Sequence, residues 1–148
     1  MIALGCDHAG YLLKEELKKY LQKIGEEYID FGTDSEESVD YPIYAAKVAH
    51  SIADGKCDKG ILCCGTGIGI SIAANKIKGI RAACCTDEYS VEMTRKHNDA
   101  NILCMGARVI GADTAFKLTK IFLETEALCE ERHLRRVKML EDIENGNM

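Results

Sequence analysis

Short apolar runs alternate with stretches of helical period along the whole chain. Residues 2–6 (IALGC), 27–31 (EYIDF), 60–64 (GILCC), 80–85 (IRAACC) and 101–105 (NILCM) predict five strands. Between the first two, Leu13, Leu17, Tyr20, Leu21 and Ile24 share one face of a helix over 11–24. Lys14, Lys18 and Lys23 fall opposite, and Gly25 ends the helix. Pro42 suits the first turn of a second helix, whose stripe Ala45, Ala46, Val48, Ala49, Ile52, Ala53 runs to Gly55. A short helix to about Lys76, then helices over 87–96, 111–124 and 131–144, complete the pattern, and the final NGNM is expected to fray. One proline and no hairpin turn between such runs predict a parallel sheet covered on both faces. The predicted class is α/β, a three-layer α/β/α sandwich formed by residues 1–148 as one domain, with a C-terminal helical arm.

Charge changes this picture locally. Nineteen basic against 24 acidic residues give a net charge of -5, which weighs against a nucleic-acid partner. Yet Arg132, Arg135, Arg136 and Lys138 cluster near the C-terminus, and a small anionic ligand would explain them. No apolar run reaches the ~18 residues of a membrane span, and MIALGCDHAG is too short and polar for a signal peptide, so no membrane partner and a cytoplasmic location are expected. Eight cysteines (6, 57, 63, 64, 84, 85, 104, 129) show neither C-x-x-C nor zinc-ligand spacing. Most read as small core residues in a reducing compartment. Cys64, and Cys6 at the end of the first run, stand apart by position.

Ligands of open α/β sheets bind beyond the carboxyl ends of the strands, where chain order reverses, commonly between strands one and three. Strand one is followed by Cys6-Asp7-His8. Asp7 and His8 there can orient hydroxyls or meet an anion; equally, Asp7 can simply cap the next helix. Strand three is followed by Cys64-Gly65-Thr66-Gly67-Ile68-Gly69. Glycines let successive N–H groups turn inward as an anion-binding nest. A thiol at its mouth gains thiolate character and faces donors suited to an enediolate. Thr66 can pass a proton between oxygens, and Ser71, one turn on, can add a donor. A dinucleotide fingerprint is the serious rival: its last glycine position holds Ile70, although Asp87 mimics the ribose-binding acid. A Walker loop lacks its G-K-[ST], and a C-x5-R phosphatase loop would need arginine at Ile70. A plain glycine turn beside a buried cysteine accounts for the loop but not for Tyr41, His97, Asn98 or Arg108. Tyr41 can also be packing, and His97 a helix-end histidine favoured by the macrodipole. His50 and His133 read as ordinary polar positions.

Seven segments together resemble the ribose/galactose isomerase family: G-C-D-H at 5–8, D-Y-P at 40–42, C-G-T-G-I-G-I-S-I-A-A-N-K at 64–76, G-I-R-A at 79–82, R-K-H-N-D at 95–99, G-A-R-V-I-G at 106–111 and R-H-L-R-R-V at 132–137. The resemblance spans essentially the whole chain. It implies a Rossmann-like fold and interconversion of ribose 5-phosphate and ribulose 5-phosphate through a cis-enediolate, with no metal and no organic cofactor. It implies that Cys64 is the base, that the amides of Gly65, Thr66, Gly67, Ile68 and Gly69 stabilise the enediolate, and that Thr66 assists transfer between O1 and O2. His97, with Asp7, would open the furanose ring, and Asn98 would bind the sugar. His8, Arg108, Arg132 and Arg136 would hold the phosphate, with Tyr41 lining the pocket. A branch of the family uses glutamate early in the helix after the loop; Ile70 stands there, which points to the cysteine branch.

His97 precedes strand five, at the amino end of the sheet, whereas Cys64 ends strand three at the carboxyl end. A five-residue strand spans roughly 16 Å. One site using both therefore predicts that His97 comes from a second chain, in a homodimer or dimer of dimers with shared active sites. The alternatives are a hexose 6-phosphate (allose or galactose) isomerase of the same family and, in a different class, a non-catalytic nucleotide- or phosphate-binding module.

Overall fold

The computed structural model describes residues 1–148. Five parallel strands lie in the order β2-β1-β3-β5-β4: β1 Ile2–Cys6, β2 Tyr28–Asp30, β3 Lys59–Cys64, β4 Ala82–Cys84 and β5 Ile102–Gly106. Helices α1 Tyr11–Lys23, α2 Tyr41–Ala53, α3 Ile68–Ala74, α4 Glu88–Asn98 and α5 Ala112–Glu124 connect or follow them, and α6 Glu131–Glu144 rests on α4. No helix is long and apolar enough to cross a membrane.

Every residue of β1 and β5 is buried, yet successive side chains still alternate between the two faces. Leu4, Cys6, Ile61, Cys63, Leu103 and Met105 meet Leu13, Leu17 and Leu21 of α1 and Leu118 and Phe122 of α5. Ala3, Leu62, Cys64, Ile102 and Cys104 meet Val48 and Ala49 of α2 and Ile70 and Ala74 of α3. Cys63 and Cys64 thus enter opposite cores, and the loop after β3 starts on the α2/α3 side.

The helices fall within two or three residues of their predicted bounds. Strand four is shorter than 80–85 because side-chain amides replace its first ladder bonds. Arg81 N–H donates to Asn101 Oδ1 and Ala82 N–H to Asn75 Oδ1, both at 2.8 Å. The other departure is Lys14, expected on the polar face of α1 and in fact 1% exposed. Its Nζ lies 2.7 Å from both Asp30 Oδ2 and the Thr33 carbonyl. The chain leaving β2 turns back over α1 there and needs an internal cation.

Burial raises the Asp30 carboxyl, but hydrogen bonds from Lys14, the Gly32 N–H and Lys18 outweigh it and hold the group below the ordinary carboxylate value. A depressed folded-state value adds stability that is present above the unfolded value of about 3.9 and is lost as pH falls through the folded one. Asp30→Asn is therefore expected to destabilise near neutrality, and the gap to the parent to narrow below about pH 4. Urea unfolding of both at several pH values checks this; a gap independent of pH contradicts it.

Candidate active site

β1 and β3 are neighbours, and the chain leaves them in opposite directions, from β1 to β2 on one side and from β3 to β4 at the far edge of the other. Their carboxyl ends carry the residues singled out above. Cys64 is 5% exposed at the end of β3, and the Gly67 N–H donates to its Sγ at 3.1 Å. Gly67 adopts φ 79°, and a Cβ there would stand 2.9 Å from the Met105 carbonyl carbon, so only glycine allows this turn. The turn aims the amide at the sulfur.

Other thiols differ. Burial pushes Cys6 up to about 12 and Cys85 up to about 11, and it raises Cys63 and Cys104 as well. Each belongs to a packed core, which suits the inert role expected of most cysteines and extends it to Cys6.

The loop amides divide in two. Gly67 N–H serves the Cys64 sulfur and Ile68 N–H serves Thr66 Oγ1 at 3.2 Å. The N–H groups of Gly65, Thr66, Gly69 and Ile70 donate to nothing in the chain. These are orphan donors at the start of α3, available to an anion. Thr66 Oγ1 accepts from an amide, so its own proton remains free. Ser71 differs from expectation: its hydroxyl donates to the Ile68 carbonyl at 2.7 Å, so its proton is engaged within the helix.

Around the loop, Arg108 lies against Gly65, with Nη1 3.3 Å from where a Cβ would stand, and the Tyr41 ring lies against Gly69, with Cζ at 2.9 Å. The Arg108 N–H holds the Gly65 carbonyl at 3.0 Å. Asp7 does cap the entry to α1: Oδ1 accepts from the Ala9 and Gly10 amides at 2.9 and 3.1 Å. His8 Nδ1 accepts the Val39 N–H at 3.1 Å, which puts its proton on Nε2 and leaves that nitrogen a donor. The 33–40 loop, read from sequence only as polar, therefore sets a tautomer.

One chain does not bring His97, Asn98, Arg132 and Arg136 to this place. His97 and Asn98 close α4, before β5 begins. The register pairs Gly60 with Ile102 and Cys64 with Gly106, so β5 starts at the end of the sheet opposite Cys64. The R-K-H-N-D segment is nonetheless rigid. Arg95 is buried and donates to Asp99 Oδ1, the Ala100 carbonyl and the Thr125 carbonyl. Asp99 caps α4 at φ 46°, and Arg81 holds the Asn98 and Asp99 carbonyls. Arg95 and Asp99 build the turn that presents His97 and Asn98. Arg132 and Arg136 are exposed one turn apart on α6, with Arg132 near Glu130 at 3.1 Å. Between them His133, read as ordinary from sequence, is 5% exposed and stacks on His97.

The larger cavities of this chain sit away from Cys64. A cavity of about 420 Å³ lies between β4, α4 and α6, and one of about 260 Å³ beside His97 and His133. The thiol itself lies beneath a rim of exposed residues, Thr66, Ile68, Tyr41 and Arg108.

A cysteine under backbone donors, with cationic and imidazole donors around it and a sheet switch point below, is an arrangement that can bind a small anion and exchange a proton with it. The match to known proteins gives the family. The Ribose/Galactose Isomerase model matches residues 2–140, and this chain belongs to that family. The chain is 48% identical over 143 residues to "Ribose-5-phosphate isomerase B" of Escherichia coli K12, covering 97% of this chain and 95% of that one. Its fold matches the ribose-5-phosphate isomerase B of Clostridium thermocellum with a TM-score of 0.96 at 51% identity, covering 99% of each chain. The type B ribose 5-phosphate isomerase of Leishmania infantum matches with a TM-score of 0.94 at 46% identity, covering 99% of this chain and 97% of that one.

Proposed function

We propose that this protein interconverts ribose 5-phosphate and ribulose 5-phosphate, with Cys64 as the proton-transferring base. The observation that carries the reading is the Cys64 sulfur bonded by the Gly67 amide, in a loop where the Gly65, Thr66 and Gly69 amides have no internal acceptor. In the open-chain aldose, the Cys64 thiolate takes the C2 proton and negative charge moves to O1. The free loop amides stabilise that charge where it develops. Thr66 relays a proton between O2 and O1, and the Cys64 thiol returns its proton to C1, giving the ketose. His97 first opens the furanose, with the free oxygen of Asp7 beside it, and Asn98 binds the sugar hydroxyls. His8 Nε2–H, Arg108, Arg132 and Arg136 receive the phosphate, and the Tyr41 ring forms one wall.

The base, donors and phosphate ligands are all groups of the protein, so no step calls for a metal or organic cofactor. Cys64 meets His97 in a homodimer, each site drawing on both chains. The eight free cysteines suit the reducing cytoplasm. Purified protein is expected to convert ribose 5-phosphate to ribulose 5-phosphate at the same rate with and without chelator. Allose and galactose 6-phosphates assayed alongside are expected to turn over more slowly. No ribulose 5-phosphate, or a hexose phosphate as the better substrate, overturns the assignment.

A further inference from the structure

His133 has no part in the site as drawn so far. It is the one buried residue of α6, and its ring lies on that of His97 with centroids 4.5 Å apart and planes 5° apart. Nε2 is buried without a hydrogen-bond partner, Glu130 Oε2 being 3.8 Å away. Burial lowers the affinity of His133 for a proton, the neighbouring His97, Arg132 and Arg136 lower it further against the opposing pull of Glu130, and the balance favours the neutral ring. The His97 ring makes no hydrogen bond within the chain; the stack is what holds its plane.

Ring opening explains why a stack suits this position. The O1 proton leaves and a proton reaches O4 as the C1–O4 bond breaks and the C1=O1 bond forms. The imidazole that carries out this exchange needs a fixed plane and nitrogens free to gain and lose protons. A hydrogen bond to either nitrogen would restrict that exchange, whereas a neutral flat neighbour fixes the plane alone. The same helix bears Arg132 and Arg136 on its exposed side. A phosphate drawn onto those arginines therefore fixes the helix that fixes His97.

We infer that His133 is a positioning residue for ring opening, which aligns His97 by stacking and ties that alignment to the phosphate-binding helix. The inference rests on the isomerase reading above, and one comparison separates the two. Ribose 5-phosphate enters as a ring. Ribulose 5-phosphate cannot close a five-membered ring, because its C5 oxygen carries the phosphate, and it needs no opening. In heavy water the enzyme exchanges the C1 proton of ribulose 5-phosphate for deuterium without any ring step. His133→Ala is expected to lower kcat/KM for conversion by about tenfold in both directions, as the fixed equilibrium requires, and deuterium exchange into ribulose 5-phosphate by less than about twofold. His133→Phe, which keeps a flat ring, is expected to restore most of the forward rate. Should the alanine variant not fold by circular dichroism, His133→Leu fills the volume without a flat ring and is expected to show the same split. An equal fall in conversion and in deuterium exchange, no fall, or a phenylalanine variant as impaired as the alanine one overturns the inference. Parent protein inactive in both directions would instead overturn the isomerase reading.

Discussion

Cys64→Ala is expected to lower kcat on ribose 5-phosphate by about 10³- to 10⁴-fold, the upper range for removing a positioned general base. The loss falls on chemistry rather than on folding. Cys64 is small, and its neighbours Cys63, Leu62, Ile70 and Cys104 keep the strand anchored in both cores. Removing one sulfur from a buried site costs about 1 kcal/mol, a fraction of a domain's stability. Phosphate binding should survive, because its donors lie on other elements. Cys64→Ser is expected to be nearly as inactive, since a hydroxyl can still accept the Gly67 amide but does not ionise near neutrality. In heavy water the parent should wash deuterium into the substrate at the transferred position, and the alanine variant should not. Turnover near the parent's in Cys64→Ala would remove the assigned base.

The second large effect is a gain. His97→Ala and Cys64→Ala are each expected to be nearly inactive on ribose 5-phosphate. Co-expressed or refolded together, they should recover about a quarter of the parent's specific activity, because random pairing makes about half the dimers mixed and each mixed dimer holds one site with both residues intact. The expectation follows from the sheet. Cys64 and Gly106 stand at one end of β3 and β5, Gly60 and Ile102 at the other, four steps and roughly 13 Å away. His97 lies at the far end. In the proposed homodimer a second copy would bring its own α4 and α6 to the Cys64 rim. The exposed Leu134, Leu140 and Ile143 on α6, at 56%, 46% and 56% exposure, provide apolar surface for such a contact. Mixed variants that stay as inactive as their parents, while size measurements show that they have exchanged, would contradict sites shared between chains.

The sequence already told most of the fold, because each element is specified locally. The apolar stripe on α1, Pro42 at the start of α2 and the apolar runs of β1, β3 and β5 each express a period that the backbone must follow. It also put Cys64 at a strand end with the glycine turn after it, since both belong to one contiguous segment whose conformation only glycine permits at Gly67. Less legible was anything that depended on a second segment. Lys14 sits at a polar position of the α1 pattern, and only the return of the chain after β2 brings Asp30 and Thr33 to bury it. Ser71 looked like a spare donor until the helix supplied the Ile68 carbonyl. The tautomer of His8 depends on the backbone of Val39, thirty-one residues away.

His133 marks the same boundary at the site itself. Its spacing on α6 says nothing of a partner, and its burial against His97 arises only when α6 folds back on α4. By itself, then, the order of residues determined the periodic elements, the parallel sheet and the place and turn of the loop after β3, because those rest on neighbours along the chain. Tertiary structure alone decided which donors remain free, which nitrogen of His8 carries the proton and which ring supports His97, because each depends on groups that only folding brings within a few ångströms of one another.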